Sequence, residues 1–238
     1  MPKVARRIIP NRVFLGVPWK NERPKYERII SKLRNKFPLH FAIVGRDDPQ
    51  DATALFDVIK ERISTSSHAI FDATRGNPNV SLEYGYAEGI RASRSIYLSG
   101  HKAARRTAAS GPIISDLSGM RRVQYNTVKM LSIELHRFCK GHEYTQRFES
   151  ALTRTLRGET GGAKKRGRTL ALKLIHTLDG LEHVQRRRLV EHVEAQNYSR
   201  QEIETMIAGL RAAGILHCGR AAISFATING PRAPRQFR

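Results

Sequence analysis

Short apolar runs alternate with helix-length segments along the first 150 residues. The runs are Val13–Val17, Phe41–Val44, Ala69–Phe71, Ser95–Leu98 and Arg122–Tyr125. Segments of helical spacing separate or follow them: Tyr26–Lys36, Asp51–Ser64, Val80–Ala92 and Thr127–Lys140. Strands alternating with helices through short connections predict a parallel sheet covered on both faces. Asn79, directly after a proline that interrupts regular structure, is the expected cap of the third helix. The stretch Ser99–Met120 is long for a connection and reads equally as a lid or as a mobile surface segment.

The pattern changes near RGETGGAKKRGR, residues 157–168, where glycine and charge replace apolar periodicity. This predicts a basic linker between a first domain, residues 1–156, and a second, residues 169–238. The second block reads as helix (Leu170–Leu178), helix (Val184–Ala195) and a third helix stopping at Gly214. Ser199 and Glu202 have capping-box spacing at the start of that third helix. Ile215–Cys218 and Ala222–Ile228 then predict a hairpin. That order is the order of a small winged helix-turn-helix, here followed by a Pro/Arg-rich, mobile tail.

Composition narrows the class. Hydrophobic residues make up 40% and charged residues 26%, as in globular proteins. Lys plus Arg number 42 against 21 Asp plus Glu, a formal net charge of +21, which favours a polyanionic partner. Residues 1–150 carry 26 basic and 14 acidic side chains; residues 151–238 carry 16 and 7, a denser excess. Cys139 and Cys218 are too few and too far apart for a disulfide framework or a zinc site. No metal or resident cofactor is expected, and the histidines form no metal or triad spacing. No apolar run approaches the ~20 residues of a membrane span, and the start lacks a signal-peptide cleavage pattern. A cytoplasmic protein, free of membrane and open to self-association, is the expectation.

The chemistry concentrates in Phe71–Gly89, FDATRGNPNVSLEYGYAEG. Asp72 ends an apolar run and so falls at the carboxyl end of a strand, the edge where parallel sheets bind ligands. With a helix starting at Val80, Glu83 falls on its first turn, where free N–H groups and the dipole suit phosphate and keep a carboxylate ionised. Either acid has an ordinary explanation alone, as a dipole partner or a turn former. Together, with Asn-Pro-Asn between them, they form the candidate site. Asp47 and Asp48 follow the second strand toward the same edge, either ordering the site or simply forming a turn.

The string D-x-T-x-x-N-P-N-V-x-x-E-x-G-x-A over residues 72–87 resembles the core motif of nucleoside 2-deoxyribosyltransferase-like and TIR-like nucleotide-binding domains. The opening RVFLGVPW and the later PIISDLSGMRRVQY are similar to the first and last strands of such domains. The likeness covers roughly residues 10–140. It implies a flavodoxin-like α/β fold, with helices on both faces of a parallel sheet, and N-glycosidic bond chemistry. Carried over by position, Glu83 attacks or stabilises the anomeric carbon, and Asp72 holds sugar hydroxyls or assists the leaving base. Asn79 binds phosphate or ribose, and Gly16 allows close approach of a base or sugar. Where the family places a second acid, about six residues before the nucleophile, this chain has Asn77, whose amide still hydrogen-bonds a hydroxyl. That departure favours hydrolysis of a nucleotide or NAD over transfer between free nucleosides.

The cations expected on nucleic acid are Lys164, Lys165, Arg166 and Arg168 of the linker, the run Arg186, Arg187 and Arg188, and Arg220 at the hairpin tip. The third helix, with Glu202 and Glu204, reads as poor for phosphate. DNA, RNA or a hybrid fits equally. A deoxyribosyltransferase-like domain followed by a winged helix resembles the effectors of bacterial retron defence systems, which implies a reverse transcriptase and its RNA–DNA product as partners. The alternative is a nucleotide-sensing, DNA-binding regulator without turnover; a third reading is a scaffold in a ribonucleoprotein.

Overall fold

The computed structural model describes residues 7–19, 22–44, 48, 51–74, 76–99, 122–179, 184–219, 222–226 and 228–229. The chain divides into two units: residues 1–32, 41–137 and 228–238, and residues 33–40 and 138–227.

The first unit is built on a sheet of order β2-β1-β3-β4-β5. The strands are β1 (Arg7–Gly16), β2 (His40–Ile43), β3 (Ser66–Asp72), β4 (Arg94–Ser99) and β5 (Arg122–Tyr125). The β1/β3, β3/β4 and β4/β5 pairs are parallel, and the architecture is flavodoxin-like α/β. The β1/β3 register shifts between Ile9 and Val13, around Pro10, which has no N–H to give to a ladder. Four helices belong to this part of the sequence: α1 (Arg23–Arg34), α2 (Ala52–Thr65), α3 (Pro78–Gly89) and α4 (Val128–Gly141). Asp51 caps α2 by accepting from the N–H groups of Thr53 and Ala54. Phe14, Ile63, Ala69, Phe71, Val80, Tyr84, Ala87 and Ile96 form one apolar cluster between the sheet and the helices α2 and α3.

The second unit holds α5 (Glu143–Thr155), α6 (Gly161–Thr177), β6 (Val184–Gln185), α7 (Arg186–Glu194), α8 (Arg200–Ala212), β7 (Leu216–Cys218) and β8 (Ala222–Phe225). Its three strands form an antiparallel sheet in the order β6-β8-β7. Leu170, Leu174, Leu189, Val193, Ile203, Ile207, Leu210 and Ile223 are buried in it. The capping box between Ser199 and Glu202 is present, and Gly214 ends α8 with φ +64.

Three expectations are corrected. The segment expected as a linker is helical from Gly161 onward. Its glycine–lysine composition hides the helix because residues 161–166 are exposed and carry no apolar face. Gly167 is there for packing: a Cβ on it would meet Leu156 Cδ2 at 2.6 Å. Helix α5 was not expected, although Tyr144, Phe148, Ala151 and Leu152 give it a buried stripe at helical spacing. The expected second hairpin strand ends at Phe225; Ile228–Asn229 forms β9, which pairs antiparallel with Ile8 and Arg7 of β1 in the first unit. Beyond Ser99, the stretch to Met120 lies outside the described residues, as does the Pro/Arg-rich tail.

Candidate active site

The site begins where β1 and β3 end side by side. Gly16 of β1 is in register with Phe71 of β3, and Phe71 packs edge-on against Tyr84 of α3 at 5.5 Å between ring centroids. Helix α3 therefore covers the Phe71 face at the carboxyl end of the sheet. Asn77 caps this helix, its side-chain oxygen accepting from the N–H groups of Asn79 and Val80 at 3.0 and 3.3 Å. Pro78 takes the first helical position, where its missing N–H costs nothing. The helix thus starts two residues before the expected Val80, and the cap is Asn77 rather than Asn79. Asn79 is exposed on the first turn.

That shift changes the environment of Glu83. It lies on the second turn of α3, past the reach of the terminal N–H groups. Its Oε2 is sealed from solvent and has no hydrogen-bond partner among the described residues. A Cβ built on Gly16 would run into that oxygen and would stand 2.6 Å from Phe71 Cδ1. The bare backbone of Gly16 is what leaves room for the carboxylate; the opening expected to admit a base or sugar is filled by Glu83 itself. Burial without a compensating donor pushes the Glu83 pKa from 4.5 up to about 8. The carboxyl is therefore mostly neutral near neutral pH, the reverse of the ionised state expected from a first-turn position.

Asp72 is drawn into a different set of contacts. Successive strand residues point to opposite faces, so Phe71 meets α3 and Asp72 turns away from it. Its Oδ2 accepts from Tyr26 Oη at 3.0 Å and from Tyr125 Oη at 2.6 Å, and its Oδ1 accepts from the Thr74 N–H at 2.8 Å. Thr74 in turn accepts from the Ser99 N–H at 2.9 Å. Asp72 is wholly buried. Burial raises its pKa, with the bonds from Thr74 and Tyr125 acting in the other direction. Asp72 thus ties the ends of β3, β4 and β5 to α1, on the face of β3 turned away from α3. The sequence reading missed Tyr26 and Tyr125; polar tips on tyrosines at buried helix and strand positions were the available signal.

Asp48 is clamped by Arg62 of α2, two N–H groups to two oxygens at 2.8 and 2.5 Å. This is a structural pair. Asp47 lies outside the described residues.

The predicted nucleic-acid cations sort by partner. Arg166 pairs with Glu202 and lies over the Tyr198 ring, and Arg168 pairs with Glu149. Arg186 pairs with Glu204 and Arg187 with Glu191. Glu202 and Glu204, read as obstacles to phosphate, are each held by an arginine. Lys164, Lys165 and Arg188 are exposed and make no ion pair among the described residues. Arg220 lies outside the described residues. Among those residues, no group of three or more His, Cys, Asp or Glu is placed to hold a metal ion, and no helix is long and apolar enough to cross a membrane.

No protein-family model matches the chain. No curated protein matches it either. Among solved structures, it is similar to a 2-desoxiribosyltransferase from Leishmania mexicana, with 12% sequence identity and a TM-score of 0.43. That similarity covers 56% of this chain and 99% of the other.

Proposed function

We propose that the chain hydrolyses an N-glycosidic bond in a nucleotide or in NAD, with Glu83 as the group that meets the anomeric carbon. The observation that carries this reading is Glu83 Oε2, sealed and unpartnered against Gly16 at the carboxyl edge of the sheet. As the bond from C1′ to the base breaks, its electron pair leaves with the base and positive charge builds on the sugar. A carboxylate beneath C1′ stabilises that charge or bonds to it, and water then adds to the sugar. The ionised form, which has already lost its proton to solvent, is the minor one near neutral pH and is poorly solvated there, so the positive charge that develops beside it is stabilised in the transition state more than in the bound substrate. Asn77 and the first turn of α3 flank the site as groups for ribose or phosphate.

The second unit supports a tether to nucleic acid through its net basic charge and, after α5, the order α6, β6, α7, α8 and the β7/β8 hairpin, which is that of a winged helix. Service as a retron-type defence effector, held by a reverse transcriptase and its RNA–DNA product, extends this proposal and rests on unit order and charge alone. The second reading, a nucleotide-sensing DNA-binding regulator, rests on the same order and charge. One experiment separates the two. Wild type and Glu83→Gln are incubated with NAD and with deoxynucleotides, and free base is measured. Release by wild type alone supports the glycosidase; binding of nucleotide with no release by either supports the regulator.

A further inference from the structure

Basic residues clustered in sequence are not the only ones left open in space. The arginines of the 164–168 and 186–188 runs largely face carboxylates, whereas a groove on α5 carries arginines that do not. The groove has a volume of about 320 Å³ and is lined by Glu143, Gln146, Arg147, Ser150, Arg154 and Ala213. The five α5 residues recur every three or four positions and so share one face of that helix, opposite the buried Tyr144, Phe148, Ala151 and Leu152. Ala213, at the end of α8, closes the other side.

We infer that this groove seats the phosphodiester backbone of a nucleic acid, with Arg147 and Arg154 as its phosphate contacts. The inference rests on the tethering part of the proposed function and gives it a location. Arg147 is half-buried and donates through Nη2 to the Gly214 carbonyl at 2.9 Å. That bond holds the guanidinium in place and leaves most of its five donors free. Glu143, one turn earlier, makes no ion pair with it, nor does any other described carboxylate. Among the described residues, Arg154 reaches only the Ser150 carbonyl of its own helix, at 3.4 Å. Seven residues separate the two arginines, about 10 Å along the helix axis. Gln146 and Ser150 lie between them as side chains suited to phosphate and sugar oxygens. Glu143 stands at one end of the row, where it repels phosphate and fixes where the strand leaves. An arginine without a carboxylate partner offers a phosphate its full charge, and displaces the counterions that make nucleic-acid binding salt-dependent. Arg166, Arg168, Arg186 and Arg187 would first have to give up the glutamates they hold.

The test uses the full chain with a short DNA duplex and a single strand of the same length, titrated over a range of salt. Arg154→Gln is expected to weaken binding and to reduce the slope of log K against log salt by about 0.9 on duplex or about 0.7 on single strand. Arg154→Lys restores the slope, and Arg187→Gln leaves it as in wild type. Urea midpoints of the Arg154 variants, matching wild type, confirm folding. If wild type binds and Arg154→Gln keeps the full slope, the groove is not the seat, while the tether survives. If wild type binds neither oligonucleotide, the groove is not a seat for either and the inference is overturned. If a polyglutamate peptide binds with Arg154 dependence and the oligonucleotides do not, the occupant is an acidic protein segment and the inference is overturned.

Discussion

Gly16 and Glu83 are a matched pair: the Cβ that residue 16 lacks would occupy the space taken by Glu83 Oε2. Gly16→Ala must push that carboxylate aside and press on the Phe71 ring as well. Overpacking of this kind costs about 1–3 kcal/mol. The expected outcome in a denaturant titration is a lower midpoint with an unchanged slope, together with loss of base release. Adding Glu83→Gln does not relieve the strain, because the amide is as large as the carboxyl and Phe71 is still in the way. Full stability in Gly16→Ala would mean that Glu83 does not sit over β1.

Glu83 also makes stability depend on pH. The folded protein keeps a proton on this carboxyl up to about pH 8, whereas the unfolded chain releases it above its ordinary value of 4.5. The folded state binds more protons in that window, so the contribution is complete below pH 4.5 and declines as pH rises toward 8. Glu83→Gln removes the decline. At pH 7 the variant should be more stable than wild type by on the order of 3 kcal/mol. Melting temperature against pH, measured in parallel for the two proteins, reads this directly.

The same ionisation sets the direction of the rate profile. If the ionised Glu83 meets C1′, kcat/KM for base release rises with pH through an apparent value of about 8. A rate that falls over that range would make Glu83 a proton donor to the leaving base instead.

Asp72 accepts from two buried tyrosines and one backbone N–H, so removing it strands the Tyr26 hydroxyl and the Thr74 N–H and leaves Tyr125 its 3.4 Å contact with Glu22 Oε2. Asp72→Ala should cost about 2–4 kcal/mol, whereas Tyr125→Phe, which removes one donor and leaves Asp72 served by Tyr26 and Thr74 and Glu22 by Lys25, should cost about 1 kcal/mol. Urea unfolding of both variants checks the ranking. Equal costs would show that Asp72 does not anchor this network.

These contrasts also explain how far the sequence could be read. Strand β5 begins and ends where its RVQY run does, and the Ser199–Glu202 box forms as its spacing requires. Both are local signals that tertiary contacts reinforce. The start of α3 was misplaced because proline reads as a stop, yet at the first helical position it replaces an N–H that has no helical partner. Two residues of error moved Glu83 from the first turn to the second, and its burial, which no local signal announces, reversed its expected charge state. Asp72 and Glu83 were read as partners because both belong to one motif; the two-residue period of β3 turns Asp72 away from the α3 face. The pairing of Arg166 with Glu202 and of Arg186 with Glu204 joins residues far apart in sequence, which no run of like charge reveals.

His142 gives the second unit an acid-sensitive joint. It caps α5, its Nδ1 accepting from the Tyr144 N–H at 3.2 Å, and its ring meets Phe138 edge-on at 5.5 Å. Burial lowers its pKa from 6.5 to about 4, so the folded state holds it neutral where the unfolded chain takes up a proton. The contribution is complete above pH 6.5 and is lost as pH falls toward 4, because a protonated Nδ1 can no longer accept from the helix. The loss amounts to roughly 3 kcal/mol at the acid end of the window. His142→Asn keeps a capping acceptor and removes the titration. The variant's stability should therefore match wild type at neutral pH and exceed it near pH 4.5, as read from urea midpoints across the range. Parallel acid limbs in the two proteins would place the acid sensitivity elsewhere in the chain.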